Sequence, residues 1–539
     1  MKNIERDVVI IGGGATGAGI LRDCALRGIH AILLEKGDIA WGTTGRNHGL
    51  LHSGARYAVT DAPSAKECIK ENRILKNIAR HCVEDTGGLF LTLPDDSLEY
   101  QEKFIKSCHQ ANIDAKRLTP EQALQLEPSA NPAMIGAVKV PDGSIDPFRL
   151  TASNILDAEE HGSEIMTYTE VTGLLKHQGR VTGVECINTK TGEKLAIHGQ
   201  QVVNACGIWG QKIAEYADLS IKMMPSKGTL LIIDYRLNRM VLNRCRKPAD
   251  ADILVPGDTV SVIGTTSIKI PYDQIDNPPI DPEEVDLLIR EGEKLAPALG
   301  RSRIVRAYAG VRPLVASDGE SGRNVSRGIV LLDHQSLDNL PGFITIAGGK
   351  LMTYRLMAEE TTNLIAKHLG NTAPCTTATE KLPGAEETTK PSSSLSRPLS
   401  GSAVYRHGQR ANKFLSDTPE EKTIVCECEM VSRGEIDYAI KELNAISLED
   451  LRRRTRLGMG PCQGEVCTCR AANILNRSKT IKEYDPINDI HDFLEERWKG
   501  NRPVLWGDTL RESEFSHWIY QSLLGYDTLK NTSETTAEQ

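Results

Sequence analysis

Four cysteines late in the chain have a spacing that implies chemistry: Cys426-x-Cys428, thirty-three residues, then Cys462-x4-Cys467, with Cys469 close behind. Thiolates on two separate loops can converge on one inorganic centre. Structural zinc prefers two-residue gaps within each pair, whereas C-x-C with C-x4-C suits thiolates divided between two irons. A [2Fe–2S] cluster, a zinc ion and a redox disulfide are open to the pattern, in that order, and Cys469 reads as a spare thiol. The arginines between the pairs (Arg452, Arg453, Arg454 and Arg456) read either as neutralising a negative cluster or as a solvated face.

A second chemical signal lies at the front. An apolar run, Val8 to Ile11, meets Gly12-Gly13-Gly14-Ala15-Thr16-Gly17, and a helical period follows through Ile20, Leu21 and Cys24. This is strand, tight turn, helix on the G-x-G-x-x-G spacing. Gly12 permits the turn, Gly14 lets a pyrophosphate approach the backbone, and Gly17 lets helix and strand pack closely. The helix N-terminus offers free N–H groups to the phosphates. A strand Ala31 to Leu34 then ends in Glu35, eighteen residues after Gly17, where an acid accepts from a ribose hydroxyl. A plain glycine-rich turn explains the glycines but not Glu35.

Three further stretches have the look of ligand loops. Gly42 to Tyr57 carries Thr44, Gly45, His52, Arg56 and Tyr57 with little hydrophobic periodicity. A strand at Gln201 to Asn204 runs into Ala205-Cys206-Gly207, a second close approach to a cofactor. Another, Gly342 to Ile346, runs into Gly348-Gly349-Lys350-Leu351 and a helix to about Leu369.

The elements that must position these residues follow from the rest of the chain. With 539 residues there is material for two or more domains. A net charge of −8 argues against nucleic acid as a partner. No apolar stretch approaches a membrane span, and the polar segment Met1 to Arg6 reads as no signal peptide. Helices are expected over Ser64 to Val83 and Pro279 to Leu299, the latter opened by Asp281-Pro282. Hairpins are expected at Gly183 and Thr191-Gly192, and strand-like runs Thr229 to Ile233 and Ile253 to Ile263 suggest an inserted antiparallel sheet. The fold class is therefore α/β: a Rossmann-like dinucleotide-binding domain with an inserted antiparallel-sheet substrate domain, followed by a small helical cysteine module and a helical tail. The expected divisions are 1–370, a Thr/Ser/Pro-rich linker 371–404, the cysteine module 405–480 and the tail 481–539.

These stretches carry a resemblance. The cysteine module resembles the bacterioferritin-associated-ferredoxin type of [2Fe–2S] domain, which implies ligand roles for Cys426, Cys428, Cys462 and Cys467. The chain up to about Leu369 resembles the D-amino-acid-oxidase-like FAD enzymes, and within them the glycerol-3-phosphate dehydrogenases. The glycine turn, His52-Ser53-Gly54-Ala55-Arg56-Tyr57, Gly310-Val311-Arg312-Pro313-Leu314 and Gly348 to Arg355 carry that likeness. Joined to the module and a tryptophan-bearing tail, the whole resembles the A-subunit family of the anaerobic glycerol-3-phosphate dehydrogenases.

The resemblance implies FAD as cofactor, and oxidation of sn-glycerol 3-phosphate to dihydroxyacetone phosphate by hydride transfer to the flavin. It implies a second catalytic subunit (B), a membrane-bound iron–sulfur subunit (C) and menaquinone as eventual acceptor. It also implies a peripheral place on the cytoplasmic face of the inner membrane, and leaves room for a second flavin, FMN, in the complex. Arg312, Arg327 and Lys350 match the family's phosphate-end positions, with His52, Arg56 and Tyr57 near the glycerol end. A second family histidine, after Lys227-Gly228, is replaced by Leu230, so His52 or an arginine-polarised water must serve as base. The rival reading is an FAD-dependent amine or 2-hydroxy-acid dehydrogenase. Its carboxylate substrate would need one arginine and no phosphate cluster. A flavoprotein that only carries electrons is disfavoured by the loop Thr44 to Tyr57.

Overall fold

A computed structural model describes residues 2–315, 328–386, 397–415, 418–478 and 484–523. Its organising strand is Lys2–Ile11. Val8 and Ile10 face one core with Ile20, Leu21 and Ile344, while Val9 and Ile11 face another with Val181, Val184 and Ile197. A strand dry on both faces belongs in a parallel sheet. The parallel strands run in the order Phe343–Gly348, Lys194–Asn204, Lys2–Ile11, Ala31–Leu34, Glu164–Met166. Helices Ala15–Leu26, Pro147–Glu160 and Tyr354–Leu369 pack together on one face.

The other face is covered by an antiparallel ribbon, Thr169–His177 and Arg180–Asn188, leading into Lys194–Asn204. One turn falls at Thr191-Gly192 as expected. The other falls at Gln178-Gly179, both with positive φ, not at Gly183. Gly183 lies mid-strand, where a Cβ would stand 2.2 Å from the Ile197 carbonyl oxygen.

The inserted sheet has nine strands and is largely antiparallel. The exception is Gly88–Thr92, which pairs parallel with Val241–Arg244. Its long strands Met223–Ile233 and Ile304–Val315 run antiparallel, with Ser226 opposite Arg312 and Gly228 opposite Gly310. Helix Pro282–Leu295, opened by a capping box between Asp281 and Glu284, buries Val285, Leu288 and Leu295 against this sheet.

The cysteine module is a two-stranded hairpin, Ile424–Cys426 with Val431–Ser432, and helices Arg433–Glu442, Leu448–Thr455 and Thr468–Arg477. Helix Pro486–Asn501 of the expected tail completes its core, since Phe493 and Leu494 pack with Val425, Leu451 and Leu475. A boundary at 480 therefore cuts through one apolar core. The expected linker is also partly built into the fold. Asn371 donates to the Arg27 carbonyl at 3.1 Å and Leu382 to the Ile78 carbonyl at 2.8 Å, with Leu382 buried. Helix Arg397–His407 begins within the same range. Among the described residues no helix is long and apolar enough to cross a membrane.

Candidate active site and metal centre

Where the C-terminal ends of the parallel strands meet the inserted sheet, a cavity of about 390 Å³ opens. Gly12 ends the first strand at φ 112°, and a Cβ there would stand 2.7 Å from the Ala205 carbonyl oxygen. A Cβ on Gly17 would stand 1.9 Å from the Gly12 oxygen. Turn and helix can approach this closely only without side chains. Gly12, Gly14, Thr16, Glu35, Thr44, Ala205, Gly207, Gly348, Gly349, Lys350 and Leu351 all line the cavity. Gly13 and Gly17 stand behind its wall, and Gly45 lines a neighbouring cavity instead.

Glu35 is held for its task. One carboxylate oxygen accepts from Gly13 N at 2.7 Å and the other from Gly37 N at 2.9 Å. Burial pushes its carboxyl up, and those two N–H groups pull against that. Each carboxylate oxygen has a second lone pair for a ribose hydroxyl. Thr44 Oγ1 accepts from Ala15 N at 3.1 Å, which fastens the ligand loop to the helix N-terminus. Side-chain-free turns, an oriented acid and a helix N-terminus together fit an extended dinucleotide such as FAD.

At the other end of the cavity stand His52, Arg56, Tyr57, Arg312 and Lys350. Arg312 lies across Gly228, where a Cβ would come within 2.6 Å of its NH2. Its guanidinium donates to the carbonyls of Lys227 at 3.2 Å and Thr266 at 2.9 Å, and to the hydroxyls of Ser226 at 3.3 Å and Thr265 at 2.5 Å. Those four acceptors are neutral and fix the direction of the guanidinium. The strand that carries Ser226 and Lys227 is pinned by the buried pair Lys227–Glu284 at 2.6 Å. Arg56 is tethered by Asp252 at 3.3 Å and the Ala249 carbonyl at 2.9 Å. Lys350 Nζ lies 4.9 Å from the Tyr57 ring centre and donates to Ser64 Oγ at 3.2 Å. The His52 and Tyr57 rings pack at 5.5 Å between centroids. Arg327 lies outside the described residues. Gly228, Thr265 and Ser226 are contributors that pattern reading missed. Only Lys227-Gly228 carried a sequence signal.

The cysteines pair two and two. The Cys467 thiol donates to Cys426, holding Cys426 down at about 7 while Cys467 is pushed far up. Burial pushes Cys428 up to about 11, with Cys462 as its bonded neighbour. Among the described residues no three His, Cys, Asp or Glu side chains converge as a single ion would require. Two thiol pairs fit a centre of two irons with two thiolates on each. Cys469 is exposed.

The arginine run does neither thing the sequence suggested. Arg454 pairs with the buried Asp38 at 2.6 Å and Arg453 with the same carboxylate at 3.0 Å. Arg456 reaches Asp258 at 2.9 Å and Asp146 at 3.4 Å. These pairs, with Tyr168 donating to Asp450 at 2.6 Å, dock the cysteine module onto the front body.

Comparison with known proteins agrees with this two-part site. Residues 7–355 match the family of FAD dependent oxidoreductases, and residues 424–477 the BFD-like [2Fe-2S] binding domain. The chain is 62% identical over 526 residues to the A subunit of the anaerobic glycerol-3-phosphate dehydrogenase of Escherichia coli (strain K12), covering 97% of each chain. It is 59% identical to that of Haemophilus influenzae, over 99% of this chain and 96% of the other. Among solved structures, a glycerol-3-phosphate dehydrogenase from Bacillus halodurans complexed with FAD superposes with a TM-score of 0.68. It covers 94% of this chain and 97% of its own, at 22% identity, a likeness of fold.

Proposed function

The chain belongs to the family of anaerobic glycerol-3-phosphate dehydrogenase A subunits, FAD-dependent oxidoreductases with a [2Fe–2S] domain, and from that premise we propose how its residues divide the work. The observation that carries the reading is the cavity in which the dinucleotide turn, His52, Arg56, Arg312 and Lys350 meet. Arg312 and Lys350, with Arg327, hold the phosphate dianion of sn-glycerol 3-phosphate, and Arg56 and Tyr57 border the glycerol chain. Charge-assisted hydrogen bonds of this kind contribute about 1.5–3 kcal/mol each. His52, buried at 9% exposure, takes the C2 hydroxyl proton. The Tyr57 ring against it and the Lys350 cation above Tyr57 limit where the C2 carbon can sit. Bound FAD supplies the acceptor for the hydride that leaves C2, and the product is dihydroxyacetone phosphate.

Cys426, Cys428, Cys462 and Cys467 hold the [2Fe–2S] cluster through which electrons leave. The chain works with other subunits, as the name of its relatives says. Two partners, one catalytic and one a membrane-bound iron–sulfur protein, complete the route with menaquinone at its end. With no spanning helix among its described residues, the chain reaches the inner membrane through those partners. We divide it into an FAD-dependent body to about residue 386 and a cluster module from about 397 that includes helix Pro486–Asn501.

The test is an anaerobic visible spectrum of the purified protein before and after addition of sn-glycerol 3-phosphate. Bleaching of the flavin band supports the reading. An unchanged flavin that an amino or 2-hydroxy acid bleaches instead overturns it.

A further inference from the structure

A second cavity, of about 310 Å³, lies between the front body and the cysteine module. Trp41, Arg46, Asn47 and His48 line both cavities, so their loop is a common wall. Around the second cavity most of the charged side chains are paired. Arg149 and Arg456 share Asp146 and Asp258, and Arg456 also meets Glu429 at 3.1 Å. Arg452 and Arg453 share Glu449, Arg453 and Arg454 share Asp38, and Lys499 meets Glu496 at 3.7 Å.

Arg46 and Arg306 are left over. Among the described residues the Arg46 guanidinium contacts the Trp41 ring face, 4.8 Å from its centre, and pairs with no carboxylate. Arg306 is 9% exposed and donates one bond, to the Glu496 carbonyl at 3.3 Å. Burial and the nearby Arg452 guanidinium pull Arg306 down to about 9, against the weaker opposing pull of Glu449 and Glu496. Arg452 itself has a buried Nε with no partner. A buried and a half-buried guanidinium with no carboxylate in direct contact are costly to keep. Neither is sealed in the protein, because their nitrogens are absent from the buried unpartnered atoms while both residues line the cavity.

We propose that this interdomain cavity is a second phosphate site, in which Arg46 and Arg306 grip a phosphate dianion, free or carried by a small ester. The cavity volume lies in the range that small ligands occupy. The ligand would tie the loop shared with the flavin cavity to the cluster module.

The experiment is equilibrium dialysis of the full-length holoenzyme against labelled inorganic phosphate and, separately, phenyl phosphate. Wild type should bind two equivalents. Arg312→Met should lose the substrate-cavity equivalent, and Arg306→Gln the other, weakened tenfold or more. Tighter binding of phenyl phosphate at the second site would identify an ester as its ligand, and equal binding free phosphate. Arg306→Gln binding both equivalents as wild type does overturns the proposal. On wild type alone, phosphate should protect Arg46 and Arg306 from phenylglyoxal, and no protection also overturns it. The readout is binding, so its failure differs from a failure of the substrate reading, which shows in flavin bleaching.

Discussion

Arg312 and Arg454 are both guanidinia drawn into the interior, and they are held in opposite ways. Arg312, at the substrate end of the flavin cavity, is oriented by carbonyls and hydroxyls of Ser226, Lys227, Thr265 and Thr266. Arg454, at the seam with the cysteine module, is clamped by both oxygens of Asp38 at 2.6 and 2.9 Å. Neutral acceptors fix a cation's direction and do not themselves cancel its charge. A carboxylate cancels that charge and turns the residue into a fastener. One side-chain type thus serves binding in one region and assembly in the other, and the partner decides which.

The comparison can be broken most sharply at the cluster. Cys462→Ser should remove the iron and the cluster's visible absorbance while substrate still bleaches the flavin, as iron analysis and anaerobic spectra would show. Loss of flavin bleaching as well would mean the two regions do not work separately. Next comes the fastener. Asp38→Ala takes from the buried Arg454 the carboxylate that clamps it and from Arg453 one of its carboxylates, and should destabilise module docking by about 3–5 kcal/mol, read as a separate, earlier unfolding step in calorimetry.

Arg312→Met should cost on the order of tenfold to a hundredfold in kcat/KM, with little change in Tm. A large fall in Tm would show that Arg312 is a fastener too. The smallest effect is acid release of the seam. Burial raises the carboxyl of Asp258, but Arg456 and Arg149 outweigh that and hold it down at about 2. A depressed carboxyl stabilises above its unfolded pKa of about 4 and loses that contribution as pH falls towards about 2. Asp258→Asn should flatten the pH dependence of docking across that window.

Much of the cavity was legible because its parts are local. Gly12, Gly14 and Glu35 are fixed by a turn, a helix start and a strand end within a few dozen residues, and the four cysteines show by their spacing, though not which of them meet. Helix starts were legible for the same reason, as Asp281 before Pro282 shows. The arginine run was not. Whether Arg453 and Arg454 meet water, a cluster or a carboxylate depends on Asp38, which is over four hundred residues away in sequence. The tail was misdivided likewise, because Phe493 completes a core whose other members precede it.

By itself the sequence determined the dinucleotide turn, the four-thiol pattern and the α/β class, since glycine φ, periodicity and ligand spacing are properties of short segments. Only the tertiary structure decided which groups each cation meets. The neutral cradle of Arg312 and the carboxylates of the seam are assembled from strands and helices far apart in the chain. Whether a guanidinium acts on a ligand or is cancelled follows from what the fold sets beside it.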